Sequence, residues 1–186
     1  NLTKGTLVKL RSECLDLCYN ENIIHRRYSM KSAKYYIENL GMTPHVEGGY
    51  FKESVVSKDL FRDDKNLFTS IYFLLETGEV SNFHRLKSDE MWYYHDGQPL
   101  TIYMITPDGE LITKQLGLDV ENGELPQVLV PKGYIFGSSM NNDGFALVGC
   151  MVAPAFTFED FELFKRNDLL EMYPHLEDVI IKLTRN

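Results

Sequence analysis

Ser81-Asn82-Phe83-His84-Arg85-Leu86-Lys87-Ser88-Asp89-Glu90-Met91-Trp92-Tyr93-Tyr94-His95-Asp96-Gly97 is the stretch whose reading decides the fold. His84 and Leu86 stand two apart, so an extended chain points both to one face. Residues 87–89 are polar and turn-forming. On the returning strand Glu90, Trp92 and Tyr94 again share a face, and Asp96-Gly97 closes it in a tight turn. The pattern delivers one His and one Glu from two paired strands to the inner side of a sheet. There they can act as an acid–base pair or as ligands of a hard-to-borderline metal ion.

Outward from this stretch the chain is a series of short runs rich in β-branched and aromatic residues: 50–56, 69–75, 91–94, 100–105, 111–116, 127–131 and 145–152. The spacers carry turn chemistry, among them Glu76-Thr77-Gly78-Glu79 and Asn141-Asn142-Asp143-Gly144. Pro107-Asp108-Gly109 between two runs predicts a hairpin. Short strands at regular intervals, without alternating helices, argue for an antiparallel barrel or sandwich rather than a parallel α/β sheet. Ser32 can cap a short helix that runs to Leu40, with Gly41 closing it. Pro44 and Gly48-Gly49 break any helix and mark a loop or bulge. At the other end Leu169, Leu170, Tyr173, Leu176, Val179, Ile180 and Leu183 recur at helical spacing after an acidic stretch opening at Phe158. Pro174 divides this region into two short helices that pack outside the barrel.

With 186 residues, 44% of them hydrophobic and 25% charged, the chain suits one folded domain. Residues 1–29 read as a leader or appended segment and residues 30–186 as the domain, with Met30 as a natural start. The first 29 residues carry five basic and three acidic side chains against a net charge of −8 for the whole chain. The body is therefore strongly acidic and has no basic stripe, which argues against nucleic acid. The longest apolar runs, 71–75 and 146–152, are too short to cross a bilayer. Cys14, Cys18 and Cys150, an odd and sparse set, point to free thiols in a reducing compartment, hence the cytoplasm.

Several motifs, in this order along the chain, carry a resemblance to a known family. They are Pro44-His45-Val46-Glu47-Gly48-Gly49-Tyr50-Phe51, Phe83-His84-Arg85 with Asp89-Glu90 and Trp92, Gln127-Val128 with Val130-Pro131, and Gly149-Cys150 with Val152-Ala153-Pro154. Glu90 and Gly97 are spaced as in the first cupin motif, and Pro131-Lys132-Gly133 is similar to the second. Over residues 32–184 the chain resembles the "cupin 5" branch of the cupin superfamily. That resemblance implies a mainly β fold, a double-stranded antiparallel β-barrel or jelly roll with short N- and C-terminal helices, and a homodimer. Metal-binding cupins place a second His where this chain has Leu86, and another where it has Phe136. Of the four usual ligands His84 and Glu90 remain, too few for a tight site. No cofactor is expected; a divalent metal, if bound, would use this pair.

The expected site is a pocket for a small polar molecule. By analogy with metal-independent sugar-nucleotide epimerases of the superfamily, His84 would be the base, Glu90 its orienting partner, and Tyr72 or Tyr94 the acid. A buried Glu90 needs a partner, which His84 or an inward-curling Arg85 could provide. His45, Glu47 and Tyr50, beside the Gly48-Gly49 bend, are expected at the pocket rim, and Arg85, Trp92 and Phe136 on its wall. The alternatives are a non-catalytic ligand-binding protein and a metal-dependent isomerase or oxygenase.

Overall fold

The computed structural model describes residues 31–62 and 65–185. The expectations for residues 1–29, Cys14 and Cys18 among them, lie outside the described residues. Helix α1 (Ala33–Leu40) begins where Ser32 accepts the Tyr35 amide at 3.2 Å and ends at Gly41 in the left-handed region, φ 65°. Both ends follow from residue type.

Among the described residues the strands are β1 (Thr43–Pro44), β2 (Tyr50–Val56), β3 (Leu60–Arg62), β4 (Lys65–Asn66), β5 (Thr69–Glu76), β6 (Val80–Leu86) and β7 (Asp89–Gly97). They continue with β8 (Leu100–Ile105), β9 (Leu111–Leu116), β10 (Gln127–Val130), β11 (Ile135–Met140), β12 (Phe145–Ala153) and β13 (Phe161–Leu163). One sheet has the order β1-β2-β5-β12-β7-β10, the other β13-β6-β11-β8-β9, and β3-β4 form a small ribbon. All the pairings within these sheets are antiparallel. This is the jelly roll. From β5 to β8 the chain changes sheet at every turn, and it does so again from β9 to β12. Of the turns read from sequence, Pro107-Asp108-Gly109 makes a true hairpin, aligning Ile105 with Leu111. The others carry the chain across the sandwich. So β6 and β7 are not a paired hairpin, as expected from sequence, but belong to opposite sheets.

Between the sheets lies the main core, with Phe73, Leu75, Trp92, Val148 and Cys150 from one side and Leu86, Leu100, Ile102, Met104 and Phe136 from the other. Each sheet is also covered on its outer face. Helix α1 packs Tyr36, Ile37 and Leu40 near Leu74 and Leu147. Helices α2 (Arg166–Met172) and α3 (Glu177–Lys182), separated by the turn at Pro174–Leu176, bring Leu169, Ile180 and Leu183 against Phe83, Ile105 and Ile135. Among the described residues no helix is long and apolar enough to cross a membrane.

Candidate functional site

The loop between β1 and β2 is drawn tightly onto the sandwich because two glycines allow it. A Cβ on Gly48 would stand 2.0 Å from the Val80 carbonyl oxygen, and one on Gly49 2.5 Å from that of Leu74. Both have positive φ, 117° and 64°. This approach drives Glu47 into the interior, where it is 7% exposed. Asn82 fixes the loop from the other side: its amide and its side-chain Nδ2 both donate to the Glu47 carbonyl, at 2.8 and 2.5 Å. The Asn82 carbonyl in turn accepts from His84 Nδ1 at 2.8 Å. One residue thus positions both partners of the site.

Since a carbonyl can only accept, that bond places the proton of neutral His84 on Nδ1 and leaves a lone pair on Nε2. Nε2 lies 3.3 Å from Glu47 Oε2, and His45 Nδ1 lies 3.5 Å from the same oxygen. The Glu47 amide faces His45 Nδ1 at 3.4 Å, which again makes that nitrogen an acceptor. Three lone-pair bearers that converge on one point repel unless a proton sits among them. Burial raises the Glu47 carboxyl and lowers His84 to about 4, and burial lowers His45 as well. All three shifts favour a protonated Glu47 that donates to a neutral imidazole. Ser81 Oγ donates to the other carboxylate oxygen at 2.9 Å.

These groups open onto a cavity of about 310 Å³ at the end of the sandwich where β5 begins and β12 ends. Its polar lining is His45, Glu47, His84, Glu90, Cys150, Thr69, Thr157 and Glu53; Phe51, Phe73, Phe156, Phe158 and Phe161 supply the aromatic wall. Phe161 ties the two together, its ring 5.4 Å from that of His84 and 5.9 Å from that of Phe156. Glu90 is 6% exposed, and desolvation pushes its pKa up to about 8, with the neighbouring Glu47 carboxyl adding to the rise. The Cys150 thiol and the Trp92 indole pull the other way.

The structure brings His84, Glu90, His45 and Glu47 to this cavity and leaves the other expected residues elsewhere. Tyr72 lies on the outer face of its sheet, beside His95 and the α1 cluster, because Ile71 and Phe73 hold the inward positions. Tyr94 shares the inward face with Glu90, but four residues along a strand is about 13 Å. Its hydroxyl donates to the Gly97 carbonyl at 2.5 Å, away from the cavity. Tyr50 packs toward α1. Arg85 turns outward and binds Glu162 through Nε and Nη2 at 3.0 and 2.6 Å, so it is not the partner of Glu90. Nor is His84, whose free nitrogen meets Glu47. Trp92 and Phe136 belong to the core, with the Phe136 ring 4.1 Å from that of His84.

Sequence reading passed over Asn82, Ser81 and Cys150. The signal for Cys150 was its alternation with Val148 and Val152 on one strand; for Asn82 and Ser81 it was nearness to His84, which on its own is weak. A divalent metal does not fit this donor set. Two of the four positions that metal-binding cupins use are the hydrocarbon side chains of Leu86 and Phe136. Among the described residues no three His, Cys, Asp or Glu are arranged to hold an ion.

Residues 34–164 match the family described as Cupin superfamily (DUF985). The chain belongs to this family. Similar solved structures include a protein from Shewanella oneidensis, 60% identical with a TM-score of 0.82, a match covering 84% of this chain and 99% of that one. A hypothetical protein from Leishmania major is 37% identical, TM-score 0.80, over 84% of this chain and all of that one. An uncharacterised protein of Saccharomyces cerevisiae is 28% identical over 160 residues, 75% of this chain and 79% of its own length. Bacillus subtilis oxalate decarboxylase, at 14% identity and a TM-score of 0.52, shares the cupin fold; the match covers 79% of this chain and 38% of the decarboxylase.

Proposed function

We propose that this cupin holds a small molecule inside its barrel and moves a proton on it, in the manner of an isomerase, with the Glu47–His84 pair as the base. The observation that carries this is the convergence of Glu47 Oε2 with His84 Nε2 at 3.3 Å, buried, at the floor of a cavity. Burial raises the Glu47 carboxyl and holds the His84 imidazole neutral, so one proton lies between them and the pair can exchange it with a ligand. In the proposed step a C–H bond of the ligand breaks and its electron pair stays on the ligand. The proton goes to the Glu47–His84 pair and returns at a second position of the carbon framework. Atoms and charge balance without any co-reactant. Among the described residues no tyrosine lines the cavity, so the proposed step is written without a phenolic acid.

The experiment is a fragment screen by NMR, followed by a search among the hits for solvent deuterium incorporation at carbon. We expect hits that shift the His84 and His45 ring signals. We also expect exchange in at least one of them that falls by about 100-fold or more in His84→Ala, the usual scale for losing a general base. Exchange that survives in that variant, or fragments that bind only outside the cavity, would remove the assignment.

A further inference from the structure

We propose that the ligand of this cavity is a small organic cation, held with its positive charge against Glu90 and among the phenylalanine rings. The inference rests on the reading of the cavity as the ligand site and adds the charge of what fills it.

Among the described residues the lining contains three carboxyl groups, Glu47, Glu53 and Glu90, and no Lys or Arg. Glu47 is already served by Ser81 and two imidazoles. Glu90 has no cation beside it among the described residues: it is more than nine-tenths buried, lines the cavity, and meets the Cys150 thiol and the Trp92 indole, both of which favour its ionised form. Basic side chains on β4, on β6 and just after it are engaged elsewhere. Lys65 and Lys87 both bind Asp160, and Arg85 binds Glu162. A cation placed in the open space in front of this carboxyl favours its ionised form, so the ligand's charge enters as the Glu90 proton leaves for solvent.

The apolar wall points the same way. Ring faces carry negative electrostatic potential, and a cation that sheds its water among several of them is attracted by each. Phe51, Phe73, Phe156 and Phe161 surround the cavity, and Phe158, 65% exposed, stands over its mouth. An anionic ligand such as a sugar nucleotide finds no cationic side chain among the described lining residues and is not attracted by the ring faces. This reading favours a cation over the sugar-nucleotide substrate expected from sequence and keeps the barrel as the site.

Three probes of nearly one shape isolate the charge: choline, its uncharged carbon isostere 3,3-dimethyl-1-butanol, and the anion 3,3-dimethylbutanoate. Binding is followed by calorimetry on the full chain, with His84 and His45 ring signals locating the probe. We expect choline to bind at least tenfold more tightly than the alcohol, and the carboxylate to bind least. In Glu90→Gln the preference of choline over the alcohol should fall at least fivefold while the alcohol binds as before, which also shows that the variant is folded. Equal binding of choline and the alcohol within the cavity, or tightest binding of the carboxylate, overturns the cation and leaves the proton-transfer reading intact. If no probe reaches the cavity and the fragment screen also finds it closed, both readings fall.

Discussion

The site depends on residues chosen for what they permit as much as for what they carry. Gly48 has no chemistry, yet a methyl group there collides with the Val80 backbone at 2.0 Å and sits at φ 117°, where L side chains are strained. We expect Gly48→Ala to cost about 2–3 kcal/mol in urea unfolding. It should also shift the His84 ring signal, because Glu47 moves with the loop. At this scale the sequence was legible in part. His84 and Glu90 declared themselves by spacing, and Gly48-Gly49 by type. The partnership did not, since Glu47 reaches His84 across 37 positions of chain, and no local pattern specifies which carboxyl an imidazole meets. Tyr72 was misplaced for a related reason. Its strand is apolar on both faces, one toward the core and one toward α1, so alternation gives no side to prefer.

Elements were read well where their boundaries are chemical and poorly where they are topological. The Ser32 cap, the Gly41 stop, the Pro174 break and the 107–109 hairpin all follow from local residue preferences. Strand β11, with Gly137-Ser138-Ser139 at its centre, has little strand propensity. It exists because it lies between β6 and β8, with Gly137 so near the Ser81 carbonyl that a Cβ would stand at 2.6 Å. The acidic stretch opening at Phe158, expected to be helical, makes one short turn and then the strand Phe161–Leu163 on β6. The short turn before it, Phe158–Asp160, carries the aromatic mouth and is held down by Lys65 and Lys87 on Asp160. These two cations keep the Asp160 carboxyl below its ordinary range. We expect Asp160→Asn to quicken hydrogen exchange in residues 156–162 several-fold while the barrel amides keep their protection. Across the sandwich, Leu169→Ala removes a fully buried side chain from the helical cover. It should cost about 2–5 kcal/mol and leave the His84 and His45 signals in place.

For the whole molecule the buried titrating groups set how stability varies with pH. Glu90 is raised from 4.5 to about 8, so between those values the folded chain holds a proton that the unfolded chain has lost, and stability falls as pH rises. Glu47, also raised, acts in the same sense. His84, lowered from 6.5 to about 4, acts oppositely: in that interval the unfolded chain holds the extra proton and stability rises with pH. The two trends offset each other below pH 6.5, and above it the carboxyl groups act alone. Urea unfolding should therefore show a loss of about 2 kcal/mol between pH 6.5 and 8 from Glu90. Glu90→Gln should flatten that limb.

The buried indole beside Glu90 has one more consequence. Trp92 is the chain's single tryptophan, so all of its emission at indole wavelengths comes from one buried ring beside Glu90. The protein therefore carries a built-in optical gauge. Its steady-state fluorescence should change in intensity as Glu90 ionises, with a midpoint near pH 8, and the filling of the cavity can be read by light without any label attached.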